Sequence, residues 1–374
     1  MPALATFTDF VATTGPAYIT GPEQVINEAV KKTYLLSRFL KGKPTAESLQ
    51  GGQTINDVVM FDDNGSYQSY GPNDTFTPTN KQVTSTISEN WRFSKFDYSW
   101  TNQEILLQGS SSMTREARFK VYKNTKKIKE SSAWTSGLNG MENDLTAVPN
   151  NADMETASGT KPYSIFAFLS PDTTNYHYSG FTTVMGINPA NEEGWRNPVS
   201  TYDHTAISDT TNGLIAGFDD LVEDVHYIPP EIQASAFDAS SPATGFFVTS
   251  KQGVKLYKQQ VRAANDRLMG ASSPSDPAYL KTLYGGADIL KIDNLTTAAL
   301  YTSAAEASGE PRYYFIQPQY MKVIFHTDRY FEKEGPFNDK DNPFSWTVYF
   351  DVYWNLFCCS RQRQGVIAPA SPTN

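Results

Sequence analysis

Residues 81–100 read KQVTSTISENWRFSKFDYSW, a strand pattern far longer than the roughly 5–6 residues of a typical strand. Side chains alternate between the two faces of a strand, so Val83, Ile87, Trp91 and Phe93 share one face while Phe96, Tyr98 and Trp100 share the other. The apolar face therefore changes sides near Ser94, which predicts a bulge or bend there. A ribbon of this length presents aromatic side chains and two open hydrogen-bonding edges, and the economical cover for both is a second copy of the same chain.

Upstream, Thr54–Phe61 and Ser66–Tyr70 flank Asp63-Asn64-Gly65, with Asn-Gly where a tight hairpin turn needs it. The excursion from Thr54 to Trp100 has little provision for a core of its own, and Gly71-Pro72-Asn73-Asp74 interrupts it. Its Phe61, Tyr67, Tyr70, Trp91, Phe93 and Tyr98 are candidate interface residues, expected to pack over an adjacent copy. Before it, residues 41–52 read as a linker, preceded by a helix with Pro22 in its first turn and Val25, Ile26, Ala29, Val30, Leu36 and Leu40 near a 3.6 period.

Downstream, the run Ser111–Trp134 opens with a serine cluster suited to capping and contains neither Gly nor Pro, which predicts one long helix. Arg115, Arg118, Lys120, Lys123, Lys126, Lys127 and Lys129 face only Glu116 and Glu130. A solvated helix face is the plain reading of such a run. The sharper one makes Arg115, Arg118, Lys123, Lys126 and Lys127 contacts to acidic groups of a neighbouring copy or to a packaged polyanion. Residues 138–160 read as polar and turn-rich, and Ser164–Leu169 as a short apolar strand. From Gly213, Phe218, Leu221, Val222 and Val225 mark an amphipathic helix with Asp219, Asp220, Glu223 and Asp224 outside. Phe246-Phe247-Val248 reads as a buried strand, then Thr249 or Ser250 caps a helix striped by Val254, Tyr257, Val261, Ala264 and Leu268. The C-terminal region is read as strands over Tyr313–Ile316, Tyr320–Phe325 and Ser345–Phe357, the last with unbroken alternation from Trp346 to Leu356.

At 374 residues the chain has room for roughly 2–3 domains and a core that needs no disulfide or metal staple. Apolar content is 39%, while 6 Trp, 21 Tyr and 22 Phe favour strands and contact surfaces over helical bundles. A formal charge of −9 and a pI near 5.1 disfavour a dedicated nucleic-acid binder. No stretch approaches the roughly 20 apolar residues of a membrane span, and the N-terminus lacks the charged start and apolar run of a signal peptide. The expectation is synthesis in the cytosol and no membrane partner. The only cysteines, Cys358 and Cys359, are adjacent in a strand, point to opposite faces and are read as packing residues.

The order of these pieces, with two stretches of wording, carries a family resemblance. Thr183-Val184-Met185-Gly186-Ile187-Asn188 followed by Trp195-Arg196-Asn197 resembles a Gly-Ile-Asp and Trp-Arg-Asn segment, and Tyr353-Trp354-Asn355-Leu356 followed by Arg361-Gln362-Arg363-Gln364-Gly365-Val366-Ile367 resembles a closing strand with a short basic tail. Both are found in the major capsid proteins of tailed bacteriophages, which share the Hong Kong 97-type capsid fold. The resemblance implies an α+β architecture: residues 1–50 as N-terminal arm and helix, 51–100 as extended β loop, 101–200 as peripheral domain with spine helix, 201–312 as inserted axial domain, and 313–374 as the C-terminal strands of the peripheral sheet. It also implies a non-enzymatic protein whose pentamers and hexamers form an icosahedral shell around double-stranded phage DNA, contacted without sequence specificity. Further implied partners are a separate scaffolding protein, a portal and a decoration protein; the implied location is the virion capsid, after synthesis in the host cytoplasm. Crosslinking through Lys and Asn, known in some members, is not carried over, because no residue pair identifies itself as that site.

Chemistry reads weakly beside this. His177, His204, His226 and His326 lack metal-ligand spacing, and no phosphate-binding loop, nucleophile elbow or dinucleotide fingerprint occurs. Asp339, Asp341 and Asn342 imitate part of a calcium loop without its Gly and closing Glu. No catalytic, cofactor-binding or metal-ligating residue is assigned and no cofactor is expected. A β-rich virion-associated binding protein or glycan hydrolase is the alternative. It would carry its aromatics at scattered loop tips, whereas here they concentrate in long strands.

Overall fold

The computed structural model describes residues 35–40, 46–49, 51–61, 65–72, 75, 83–101, 115–178, 180–203, 206–225, 245–268, 283–284, 287–292, 295, 311–338 and 344–370. In chain order the elements are α1 (Leu36–Leu40), β1 (Ala46–Leu49), β2 (Thr54–Met60), β3 (Thr84–Asn90), β4 (Arg92–Thr101), α2 (Arg115–Leu145), α3 (Asn151–Met154), α4 (Ile165–Phe168), β5 (Val199–Tyr202), α5 (Leu214–Val225), β6 (Phe246–Thr249), α6 (Lys251–Leu268), β7 (Leu283–Tyr284), β8 (Ala287–Lys291), β9 (Tyr313–Ile316), β10 (Met321–His326), β11 (Glu332–Asn338), β12 (Ser345–Cys358) and β13 (Gly365–Pro369). The described residues divide into two compact units, one built from Ser94–Met141 and Asp328–Val352, the other from the remainder.

The larger unit is organised around a six-stranded sheet in the order β5-β13-β9-β6-β8-β7. β13 runs parallel to β5 and antiparallel to β9, and β6 runs antiparallel to β9 and parallel to β8. Phe218 and Leu221 of α5 and Tyr257 of α6 pack on one face, against Phe247, Tyr313, Phe315 and Ile367. The opposite face receives Phe39 against Phe246, with ring centroids 6.5 Å apart, and Phe166 against Tyr314 at 4.7 Å. Burial on both faces is why β6, β9 and β13 are apolar runs without alternation. In the same unit β1 runs parallel to β10, and β10 pairs antiparallel with the second half of β12.

Arg361 ties this unit's irregular segments together. Fully buried, it donates from Nε to the Phe168 carbonyl (2.9 Å) and from its terminal nitrogens to the Trp195 carbonyl (3.0 Å), the Tyr176 carbonyl (2.7 Å) and Asn197 Oδ1 (2.9 Å). Burial lowers its pKa to about 10, which still leaves it cationic at neutral pH. Four acceptors in fixed directions suit a planar guanidinium and no other side chain.

In the smaller unit β4 pairs with β12, and β11 pairs antiparallel with the first half of β12. Its core is Tyr98, Trp100, Ala133, Val348 and Phe350, with Phe96, Trp134 and Trp346 packed against it. Phe96 is held on two sides, stacked on Phe350 at 4.9 Å and edge-on to Trp134 at 5.4 Å.

Several sequence expectations are met and several are corrected. α5, α6, β6, β9, β10 and β12 fall where periodicity and capping put them; Ser250 Oγ accepts from Gly253 N at 3.2 Å at the start of α6. The long helix does not stop at Trp134 but continues through Gly137 and Gly140 to Leu145, so much of 138–160 is helical. Gly137 is required by proximity: a Cβ there would lie 2.6 Å from Phe96 Cδ1. In the last turn, Glu142 accepts from Leu35 N (2.9 Å) and Leu36 N (2.8 Å), satisfying the first amides of α1. Ser164–Leu169 is not a strand: Ile165–Phe168 form a buried helical turn, since periodicity alone cannot classify so short an apolar run. β2 pairs with β3 rather than with Ser66–Tyr70, which form no strand; Asp62–Asn64, where the hairpin turn was expected, lie outside the described residues. In the short basic tail after β12, Arg361 is buried and Gly365–Pro369 form a buried strand. Only the end of the N-terminal helix, Leu36–Leu40, falls within the described residues, as do two of the four histidines, His177 and His326.

Two substitutions test this packing. Gly137→Ala gains about 1 kcal/mol of helix propensity but overpacks a ring that cannot turn aside, at about 1–3 kcal/mol, so denaturant unfolding should show net destabilisation, and Gly137→Ala combined with Phe96→Leu should recover most of it. Arg361→Lys should cost more than about 2 kcal/mol, because an ammonium cannot reach all of these acceptors and each orphaned one costs about 1–3 kcal/mol.

Candidate assembly surface

The β2–β3 ribbon belongs to the larger unit and has two unlike faces. In register, Asp57 lies opposite Ile87 and Val58 opposite Thr86. Directly opposed residues share a face, so the odd-numbered positions form one face and the even-numbered positions the other. The odd face is seated on the chain's own body: Ile55, Ile87 and Glu89 are buried, and Phe61 meets Trp195 edge-on at 5.7 Å. Main-chain contact adds to this where Ser88 N donates to the Met185 carbonyl at 3.4 Å. The even face, Asn56, Val58, Met60, Thr84, Thr86 and Ser88, is exposed throughout, with Val58 at 64% and Met60 at 58%. Beyond it, residues 65–70 are all exposed, with Tyr67 at 91% and Tyr70 at 77%. Among the described residues β2 and β3 pair only with each other, and of their outward amides Ser88 N donates to the Met185 carbonyl and Val58 N to Asp57 Oδ1.

The change of face falls at Trp91, which separates β3 from β4, and not at Ser94. Trp91 and Arg92 are consecutive and both buried, after which the even positions of β4 point inward. Pattern reading misplaced the switch because it grouped Phe93 with Trp91, whereas Phe93 is 63% exposed, touching Tyr353 with ring centroids 4.4 Å apart. The Trp91 indole donates to the Gly52 carbonyl (3.0 Å), and its ring meets His326 at 5.3 Å.

Of the sequence candidates, Tyr67, Tyr70 and Phe93 are thus exposed and Phe61 half-buried, while Trp91 and Tyr98 are buried within the single chain. Their burial leaves Trp91 and Tyr98 little surface for a neighbour. Among the basic residues, Lys126 sits over the Trp100 ring at 4.9 Å and Lys127 is exposed; Arg115, Arg118 and Lys123 lie on α2, with side chains outside the described residues. Val58 and Met60 were missed, although the alternation from Ile55 to Met60 placed them on the face opposite Ile55. In the smaller unit Tyr330, Phe337 and Phe344 are further exposed aromatics.

The segments singled out by wording are where the ribbon meets the body. Met185 and Gly186, both at positive φ, form a tight turn between the bridged Val184 and Ile187. Trp195 is fully buried with its indole donating to the Val184 carbonyl (3.0 Å), and Asn197 Nδ2 donates to the Ser170 carbonyl (2.8 Å). Asn355, central in Tyr353–Leu356, donates through Nδ2 to the Asn90 carbonyl (2.8 Å) and Glu89 Oε2 (3.1 Å), while its Oδ1 accepts from Tyr163 N (2.9 Å).

No family model matches the sequence, and no curated protein is similar to it. Among solved structures, a chain of the cyanophage A-1(L) capsid asymmetric unit superposes with a TM-score of 0.59 at 9% identity, covering 92% of this chain and 96% of that one. The chain shares the fold of that capsid protein. Weaker likenesses are to the mature capsid of bacteriophage PhiM1 (TM-score 0.49, 10% identity, 94% and 92% covered) and to the capsid of Myoviridae phage XM1 (0.47, 14%, 92% and 94%). The fold assignment rests on the cyanophage structure alone. Among the described residues no helix is long and apolar enough to cross a membrane, and no cluster of His, Cys, Asp and Glu is arranged to hold a metal ion.

The two classes of aromatic should separate in the unassembled protein. Trp91→Ala should lower unfolding stability by about 3–5 kcal/mol, whereas Tyr67→Ala should change it by less than about 0.5 kcal/mol, measured by denaturant titration.

Proposed function

We propose that this chain is a major capsid protein of Hong Kong 97 type, whose copies form pentamers and hexamers that close into an icosahedral shell around double-stranded phage DNA. The observation that carries this reading is the end-to-end likeness to a chain of the cyanophage A-1(L) capsid, which leaves almost no part of either chain unmatched. The exposed even face of the β2–β3 ribbon supports it physically. Two neighbouring apolar side chains, Val58 and Met60, stand exposed on that face, and in a shell a second copy of this chain would cover them. One surface meeting a different surface on the next copy generates rings, and rings with curvature generate shells.

In the same reading, residues 1–50 form the arm, 51–100 the extended loop, 101–200 and 313–374 the peripheral domain, and 201–312 the axial domain. Lys126 and Lys127, with Arg115, Arg118 and Lys123 on the same helix, would meet acidic groups of a neighbour or the packaged DNA. A separate scaffolding protein, a portal and a decoration protein complete the set of proposed partners. The location that follows is the virion capsid, after synthesis in the host cytoplasm.

Light scattering and negative-stain microscopy of the protein, alone and co-expressed with the other structural proteins of its virus, test the proposal, which expects rings and closed particles. Val58→Asp combined with Met60→Asp should leave the free subunit's thermal unfolding unchanged while reducing particle yield at least about tenfold, since a charge buried in an apolar contact is strongly penalised. Monomers under every condition, or particles of normal yield from the double variant, would each contradict the corresponding part.

A further inference from the structure

The bend between β3 and β4 buries ionisable groups that are not joined in a direct ion pair. Glu89 is 5% exposed and Arg92 2%. The Arg92 guanidinium is taken up by main-chain carbonyls, those of Thr156 (3.0 Å), Met154 and Gly159. Among the described residues it makes no ion pair with Glu89. Glu155 accepts from Thr183 Oγ1 (2.6 Å), from Gly186 N (3.2 Å) and from the Tyr163 hydroxyl. For Glu89 the side-chain donor is Asn355 Nδ2, which also holds the Asn90 carbonyl. The charged groups acting on Glu89 are thus Arg92 of β4 and Glu155 after α3, with Tyr163 beyond Glu155; β12 contributes the neutral Asn355 amide, and β2 places Ile55 in register opposite.

We infer that Glu89 is a proton-controlled latch for the root of the β2–β3 ribbon: protonated, it lies neutral in its buried place and keeps the root seated, and ionised, it sets a buried carboxylate beside Glu155 that Arg92 and the Asn355 amide only partly offset, and lets the root open. Burial first, and then the Glu155 charge, hold the Glu89 carboxyl well above the ordinary glutamate range, with Arg92, Asn90 and Asn355 offsetting only part. Because the folded pKa is raised, the seated root binds a proton that the opened root releases. Seating is therefore complete below the ordinary glutamate value of 4.5 and is lost as pH rises through the raised folded value. Over that interval the opening equilibrium rises about tenfold per pH unit, as release of one proton requires. The inference concerns one chain and does not depend on shell formation.

Hydrogen–deuterium exchange of the full chain at stepped pH, corrected for intrinsic rates, tests it on the amides of 54–60 and 84–92, with 365–369 as internal reference. The unchanged protein should lose protection in the ribbon root as pH rises while β13 stays protected. Glu89→Gln should hold protection constant over the same range, and Glu155→Gln, which removes the like charge and so lowers the folded value, should end the loss at a lower pH and leave more protection at high pH than the unchanged protein keeps. The inference is overturned if Glu89→Gln keeps the wild-type pH profile, or if β13 loses protection in parallel with the ribbon. Should Glu89→Gln fail to fold, an unshifted profile in Glu155→Gln overturns it alone.

Discussion

A pair of strands is marginal in water by itself, and the chain from Thr54 to Trp100 answers to that constraint. One face of the ribbon solves it internally: Ile55 and Ile87 are buried, Phe61 reaches Trp195, Ser88 donates to Met185 and Trp91 donates to Gly52. The root is then fixed by Asn355, whose single amide holds the end of β3 and the Tyr163 main chain together. The other face has no such solution among the described residues. Val58 and Met60 are exposed, and the same register that buries Ile55 and Ile87 puts them there. Inner attachment and outer exposure are thus two consequences of one strand pairing.

The sequence declared most readily those elements whose burial is one-sided and periodic. α5 shows it through Phe218, Leu221 and Val225 against Asp219, Asp220, Glu223 and Asp224, and α6 through Val254 and Tyr257 behind the Ser250 cap. The errors share a physical cause, a tertiary contact that overrides a local signal. Gly137 reads as a helix stop until Phe96 is seen lying where its Cβ would be. Asn64-Gly65 reads as a hairpin turn, yet β2 finds its partner in β3 across the intervening segment. Arg361 reads as part of a basic tail, and only the convergence of carbonyls from residues 168, 176 and 195 makes its burial affordable.

At the candidate surface, residue type announced importance without direction. Trp91, Phe93 and Tyr98 look equivalent in the sequence, but the bend at Trp91 turns two of them inward and leaves Phe93 out. Arg92 is the reason the pattern misled: an inward charged side chain at a strand start breaks apolar alternation, and no rule of periodicity supplies the three carbonyls that accept it. Val58 and Met60 had the weaker signal of parity alone, which assigns a face only once a partner strand fixes which side is the core. The segments legible as family wording, around Met185-Gly186, Trp195 and Asn355, turned out to be the places where the ribbon is held.

The central claim is that the even face of the ribbon is a contact between copies of this chain. Hydroxyl-radical footprinting of free subunits and of assembled particles reads it directly, with Met60, Tyr67 and Tyr70 as probes and the fully buried Met185 as an internal zero. The account predicts strong labelling of Met60 in the free subunit and loss of most of it in particles, with Met185 unlabelled in both. Equal labelling of Met60, Tyr67 and Tyr70 in the two states would contradict it.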